Sequence, residues 1–184
     1  MLRLFTTTCL LIWSCYSNAT PSTHLYQIDL IVFTHINQSS SLTEDPFAPL
    51  LVPGMEQAIP LQYTESDKKS PYRILPKSQS ALRNELFLLN HKPQYHVLFH
   101  YTWLQPANNQ KSVSLSEPNS SSWHVEGTLR IRKSNYYLFD TELLFKAPNH
   151  QDIAFVFKEN MRLKPGIVYY LDHPQAGMLI KVTT

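Results

Sequence analysis

The chain has 184 residues, of which 43% are hydrophobic, 12% are aromatic and 16% are charged. This apolar content is enough for a packed core and excludes a wholly disordered protein. The formal net charge of +2 and the absence of a glycine-rich phosphate-binding motif exclude a nucleic-acid binder driven by bulk charge and a P-loop or dinucleotide-binding enzyme.

Residues 1–19 have the layout of a secretory signal peptide. Arg3 supplies a positive charge, a short apolar run follows, and Ser17 and Ala19 suit a signal peptidase. The apolar run is only half of the ~20 residues that span a bilayer, and no later run is long enough, so we expect no transmembrane segment after cleavage. We therefore expect an exported protein with a single domain at residues 20–184.

Cleavage before Thr20 would remove both cysteines of the chain, Cys9 and Cys15. The mature domain would then contain no disulfide, no thiol nucleophile and no cysteine metal ligand. The residues around Cys15 also fit a lipoprotein signal in part. In that alternative, an acyl chain on Cys15 would anchor the domain to a membrane.

The first half of the mature chain predicts one strand, one long loop and one helix. The nearly continuous apolar run at 25–33 is typical of a strand that is covered on both faces and is therefore central in its sheet. Residues 34–76 contain six prolines and little periodicity, which indicates a long Pro-rich loop. A leucine stripe (Leu82, Leu86, Leu89) predicts an amphipathic helix over 78–90.

The second half alternates between apolar and polar residues, as strands with one buried face do. The expected fold is α+β: a mixed, mostly antiparallel sheet of about six strands, with one main helix packed on one face. The predicted strands lie at 95–104, 123–133, 136–145, 153–157, 168–171 and 177–183, and 107–122 is a polar loop.

The residues that could carry chemistry do not form a metal or catalytic motif. His96 and His100 share a predicted strand face, but at ~3.3 Å per residue they lie about 13 Å apart. No H-E-x-x-H or cysteine set completes a zinc site, and the G-x-S-x-G motif of many serine hydrolases does not occur. We therefore expect no metal and no cofactor.

A polar and aromatic stretch near the C-terminus contains most of the candidate binding residues. Asp172 and His173 precede a proline at a predicted turn between two strands, which Asp172 could fix by accepting backbone amides. The functional alternative is that Arg162, Asp172 and His173 form a polar cluster at one end of the sheet. Arginine suits a peptide carboxylate because it can bind in a bidentate way.

Trp103 and Tyr170 are the aromatic candidates for stacking on sugar rings. For any single aromatic residue, a place in the core is the plainer explanation. The predicted ligand-binding residues are therefore Trp103, Arg162, Tyr170, Asp172 and His173.

Four sequence blocks resemble the CsiV family of exported bacterial peptidoglycan-binding proteins. They are YQIDLIVF at 26–33, VLFHYTWLQ at 97–105, GTL with YYL at 127–138, and YLDHPQAG at 170–177, which is the most specific. The resemblance implies a non-enzymatic periplasmic protein that binds peptidoglycan and supports cell-wall assembly and cell shape. In that case Trp103 and Tyr170 would stack on glycan, and Arg162 and His173 would hold the stem peptide.

This chain departs from the family pattern at two places. The family tends to have two adjacent arginines where this chain has Met161-Arg162, and an acid where it has Ile167. If those charges contact wall peptides, the affinity of this member is reduced or altered.

Two other functions remain open at this point. An envelope adaptor would bind a cell-wall synthase or its regulator without holding glycan itself, and it should expose an apolar patch of several hundred Å². A wall-cleaving enzyme would need a close pair of carboxylates in a cleft.

Overall fold

A computed structural model describes residues 24–36, 54–61, 72–116, 123–147 and 154–184. The predicted signal peptide, Cys15 and most of the predicted Pro-rich loop lie outside these residues. Within them, no helix is long and apolar enough to cross a membrane. The described elements are helix α1 (Arg83–Asn90) and strands β1 (Leu25–His35), β2 (Ile59–Pro60), β3 (Arg73–Ile74), β4 (Tyr95–Pro106), β5 (Val113–Ser116), β6 (His124–Lys133), β7 (Tyr137–Lys146), β8 (Ala154–Leu163), β9 (Val168–His173) and β10 (Ala176–Thr183).

The strands form two five-stranded sheets rather than the single sheet predicted from the sequence. Sheet A has the order β3-β4-β1-β10-β9, and all of its neighbouring strands are antiparallel. Sheet B has the order β2-β5-β6-β7-β8, and its β2–β5 pair is parallel. The prediction that β1 is central is confirmed. We expected one mixed sheet, but the parallel pair lies between β2 and β5 of sheet B, and β1 and β4 are antiparallel.

The two sheets pack face to face because each has one apolar face. In β7, for example, Phe139, Leu143 and Phe145 are buried, whereas Leu138, Asp140 and Glu142 at alternate positions are partly exposed. The eight-residue helix α1 is too short to cover two such faces, so the sheets bury them against each other. The resulting core contains residues from both sheets in one contiguous cluster.

Helix α1 lies on the outer face of sheet A, which confirms the prediction of a helix on one face. Leu82 and Leu89 are buried against Ile31 and Phe33 of β1, and Leu86 is only partly buried. The helix begins at Arg83, because Lys77–Gln79 form a 3₁₀ turn instead of the first helical turn. Strand β1 is therefore covered by sheet B on one side and by α1 on the other.

A buried polar cluster connects sheet A to the segment that precedes α1. The carboxylate of Asp29, which is fully buried, accepts hydrogen bonds from Gln27 Nε2, from the Ala81 amide at 3.1 Å and from Thr102 Oγ1 at 2.9 Å. We call Gln27, Asp29, Ser80, His100 and Thr102 the Asp29 cluster. Within it, Ser80 Oγ lies 2.8 Å from His100 Nε2 and accepts the Leu82 amide at 3.0 Å, which orders the entry into the helix.

We expect His100 to make the protein less stable in acid. Burial, with the nearby charge of Lys77, lowers the pKa of His100 below its ordinary value of 6.5, although Asp29 acts in the opposite direction. The unfolded chain therefore takes up a proton first, so the free energy of unfolding should fall as the pH drops from about 6.5 towards the lower folded pKa. Chemical denaturation on either side of this range measures the loss.

The matched variants for this measurement are His100→Gln and His96→Gln. Glutamine at 100 does not titrate and can still bond Ser80, so part of the pH dependence should disappear. His96 is exposed, and its replacement should leave the wild-type dependence intact. An unchanged pH dependence in His100→Gln would refute this role.

Candidate functional site

Trp103 belongs to the core and not to a binding surface. Its side chain is fully buried between the sheets, and its indole N–H donates to Gln105 Oε1 at 3.0 Å. A ring with no exposed face cannot stack on a sugar, so the predicted stacking role of Trp103 is wrong.

Arg162 lies on the outer face of sheet B, apart from the other candidates. Its neighbours in β8, Met161 and Leu163, pack against the core, so the side chain of Arg162 faces solvent. Its guanidinium carbon lies 5.9 Å from the centroid of the Tyr136 ring. The thickness of the two packed sheets separates this face from Asp172, so the predicted cluster of Arg162, Asp172 and His173 does not form.

The predicted turn after His173 exists, and it connects β9 to β10. The hydrogen bond at the turn is made by His173, whose Nδ1 accepts the Gln175 amide at 3.3 Å, and not by Asp172 as we expected. The His173 ring stacks on Phe155 of sheet B with centroids 4.5 Å apart and planes at 5°. Burial lowers the pKa of His173, which favours the neutral ring that this hydrogen bond requires.

Tyr170 and Asp172 lie side by side on the outer face of sheet A. Tyr170 donates its O–H to Asp172 Oδ1 at 2.5 Å. The tyrosine is 53% exposed and the side chain of Asp172 is 61% exposed, so both are available to a ligand. Burial of part of the ring, with the hydrogen bond and the charge of Asp172, raises the pKa of Tyr170, which therefore stays protonated as a donor.

Three further residues from distant strands complete this surface. Phe33 stacks on Tyr170 with centroids 6.2 Å apart and planes at 8°, and it meets Tyr95 edge to face at 5.2 Å. His35 packs on Tyr95 at 5.6 Å, and its Nε2 lies 3.8 Å from Asp172 Oδ1. We call Phe33, His35, Tyr95, Tyr170 and Asp172 the aromatic patch.

Gly177 allows the aromatic patch to form. It pairs with Phe33 on one side and with Asp172 on the other. A Cβ atom at this position would lie 2.4 Å from Phe33 Cζ and 3.1 Å from Tyr170 Cε2. Only a glycine therefore lets the Phe33 ring lie against the backbone of β10 and support Tyr170 from below.

Sequence reasoning found Tyr170 and Asp172 but missed Phe33, His35 and Tyr95. These three lie far from residue 170 along the chain and meet it only through the pairing of β1 with β4 and β10. The one available signal was Gly177 in the most specific sequence block, because a glycine within a strand often marks a close approach of another group.

The carboxylates on the outer face of sheet B do not form a free pair for acid–base chemistry. Asp140 accepts hydrogen bonds from Arg130 and Arg132, and Glu142 Oε2 lies 2.8 Å from Lys158 Nζ. This arrangement is typical of cross-strand ion pairs on a solvated sheet. Among the described residues, no group of three histidine, cysteine or acidic side chains could hold a metal ion.

The hydroxyl–imidazole pair of Ser80 and His100 resembles part of a nucleophile–base arrangement. Both residues are buried, Ser80 in the segment that precedes α1 and His100 on the sheet beneath it, and the Ser80 oxygen also accepts the Leu82 amide. A substrate cannot reach a hydroxyl in this position, so the pair has a structural role.

Comparison with known proteins gives one assignment. The family model described as "Peptidoglycan-binding protein, CsiV" matches residues 5–184. No curated protein and no solved structure matches the chain. Because the match covers almost the whole chain, including every strand of both sheets, this protein belongs to the CsiV family of peptidoglycan-binding proteins.

Proposed function

We propose that this protein is a non-enzymatic, periplasmic peptidoglycan-binding protein that supports cell-wall assembly and cell shape, and that it contacts the wall through the aromatic patch. The family assignment supports peptidoglycan as the ligand. The observation that carries the choice of surface is the half-exposed Tyr170 ring, which is stacked on buried Phe33 beside an exposed carboxylate. The signal-like residues 1–19 support export to the compartment that contains the wall.

The aromatic patch has the two kinds of group that polysaccharide recognition requires. The apolar face of the Tyr170 ring can pack against the C–H face of a sugar, and the Asp172 carboxylate can accept hydrogen bonds from hydroxyl, amide or amino groups. Because Phe33 and the hydrogen bond to Asp172 hold the Tyr170 ring in place, little conformational freedom is lost on binding.

We expect Tyr170→Ala to weaken binding to peptidoglycan by about tenfold, since a central tyrosine often dominates an interface. The measurement is a pulldown of the purified protein with insoluble sacculi at physiological salt. Saturable pelleting of the wild type, above that of an unrelated exported protein, establishes the binding itself. The free energy of unfolding of the variant should stay close to that of the wild type, because the side chain is half exposed.

Two variants on the opposite face serve as controls for Tyr170→Ala. Tyr136 is a tyrosine of similar exposure, 45%, and Arg162 lies beside it on the outer face of sheet B. Tyr136→Ala and Arg162→Ala should both bind sacculi like the wild type. Loss of binding in Arg162→Ala with full binding in Tyr170→Ala would move the wall contact to sheet B.

A second candidate function is the envelope adaptor, which one observation favours. Phe87 and Leu88 are adjacent on α1 and are 61% and 56% exposed. Exposed apolar side chains of this size are suited to a protein partner such as a cell-wall synthase or its regulator. If the adaptor function is correct, the wild type does not pellet with sacculi, and Leu88→Ser abolishes the protein's effect on cell shape.

A further inference from the structure

The aromatic patch carries an unbalanced negative charge. Asp172 receives one hydrogen bond at Oδ1 from the neutral Tyr170 hydroxyl, and Oδ2 accepts none from the described parts of the chain. The nearest side chain that could carry a positive charge is His35. Its Nε2 lies 3.8 Å from Asp172 Oδ1, which is beyond hydrogen-bond distance. No lysine or arginine in the described ranges forms an ion pair with Asp172.

Asp172 differs from the acidic residues on the outer face of sheet B. On the outer face of sheet B, Glu126, Asp140 and Glu142 are each paired with a lysine or arginine at 3.2 Å or less. Asp172 is more exposed than any of these three, and it lies beside an aromatic face instead of a cation. A carboxylate in this position attracts a cationic group and repels an anionic one.

We propose that the aromatic patch recognises a primary ammonium group, and therefore selects peptidoglycan stems whose diamino acid is not cross-linked. An ammonium can donate a charge-assisted hydrogen bond to Asp172 while its alkyl chain and charge lie against the Tyr170 ring. In peptidoglycan, the side-chain amine of the diamino acid is cationic when it is free and becomes a neutral amide in a cross-link. The other ionised groups of the stem are carboxylates, which the Asp172 charge disfavours.

This inference rests on the proposed function, and it adds which part of the wall is bound. A protein with this preference would concentrate where stems are still unlinked, which is where wall material is newly inserted or has been opened. The neutral glycan strand would supply the remaining contact with Tyr170.

The test compares native sacculi with sacculi whose free amines have been acetylated with acetic anhydride. Acetylation removes the positive charge and leaves the glycan and the carboxylates in place. We expect the wild type to bind acetylated sacculi about tenfold more weakly, as expected for loss of one charge-assisted contact. Asp172→Asn should bind native sacculi as weakly as the wild type binds acetylated sacculi, and acetylation should have no further effect on it.

A matched variant controls for the change in net charge. Glu56 is exposed and lies in the 3₁₀ turn Met55–Gln57, which precedes β2 of sheet B, so Glu56→Gln removes the same charge away from the aromatic patch. It should respond to acetylation as the wild type does. Thermal unfolding of both variants verifies that they are folded. The binding of the wild type to native and to acetylated sacculi can be compared without either variant.

Each outcome of this experiment is decisive. Equal binding of the wild type to both preparations overturns the ammonium preference while leaving wall binding intact. A tenfold effect of acetylation that persists in Asp172→Asn also overturns it, because the amine would then be recognised elsewhere. Failure of the wild type to pellet with native sacculi refutes the proposed function itself, and is thereby distinguished from failure of this inference.

Discussion

Replacing Asp29 with alanine should lower the free energy of unfolding by about 3–5 kcal/mol, because each buried donor that loses its acceptor costs about 1–3 kcal/mol. The truncation leaves the Ala81 amide and the buried Thr102 Oγ1 without their acceptor, whereas Gln27 Nε2 keeps its hydrogen bond to the Gln79 carbonyl. Each of these donors has given up its hydrogen bond to water on folding and would then have no protein acceptor in its place. Urea denaturation of the two proteins at neutral pH measures the difference.

Asp29→Asn is the control, because it keeps an acceptor oxygen of the same shape. It should lose clearly less stability than Asp29→Ala, since one oxygen can still accept from Thr102 and Ala81. A loss below about 1 kcal/mol in Asp29→Ala would mean that water replaces the carboxylate, and that the Asp29 cluster does not hold the start of α1 on the sheet.

Gly127→Ala should be almost as damaging, with a loss of about 3–5 kcal/mol or failure to unfold cooperatively. Gly127 lies in β6, the middle strand of sheet B, between Leu115 of β5 and Leu143 of β7. A Cβ atom there would lie 2.2 Å from the carbonyl oxygen of Glu142 and 2.8 Å from the Cα of Leu143. Both contacts involve backbone, so only a displacement of β7 could relieve them.

Gly166→Ala separates this crowding from the general effect of losing a glycine. Gly166 has a φ of 78°, and a Cβ atom there would meet nothing within 4 Å beyond its own chain neighbours. Alanine at this position encounters only the backbone penalty of the left-handed region, about 1–2 kcal/mol. If Gly127→Ala costs no more than Gly166→Ala under the same conditions, the strands of sheet B adjust more easily than their spacing indicates.

The strand positions were largely predictable, because alternation marks each strand with one buried face. The division of the strands into two sheets was not predictable. The alternation of apolar and polar residues shows that a strand has an apolar face, but it does not show which other element packs against that face. Strand β5 was hidden in a serine-rich loop where Val113 and Leu115 were the only apolar alternation. Strand β8 runs beyond its predicted end at Phe157, because polar residues such as Lys158 pair with β7 instead of ending the strand.

Irregular pairing limited the prediction of which residues face the core. Simple alternation along β4 places Val97 on the same side as Trp103. A bulge at Leu98 of β4, opposite Val32 and Phe33 of β1, shifts the register, so that Leu98 joins the core between the sheets and Val97 lies under α1. Such a shift depends on the partner strand and leaves no local signal in the sequence.

The same limitation explains the outcome for the candidate site. Tyr170 and Asp172 were found because they are two residues apart on one strand and therefore share a face. Arg162 was grouped with them because it is close in the sequence. However, residues 164–167 carry the chain from β8 in sheet B to β9 in sheet A, and closeness along the chain is lost across that connection.

The central position of β1 also determines the order in which the molecule can fold. Leu30 pairs with Tyr101 on one side and with Ile180 on the other, so the first described strand is hydrogen-bonded to the last. The middle of sheet A thus cannot close until the final strand has left the ribosome. Topologies dominated by such long-range pairings fold slowly. The newly made chain therefore passes through a period without its native sheet.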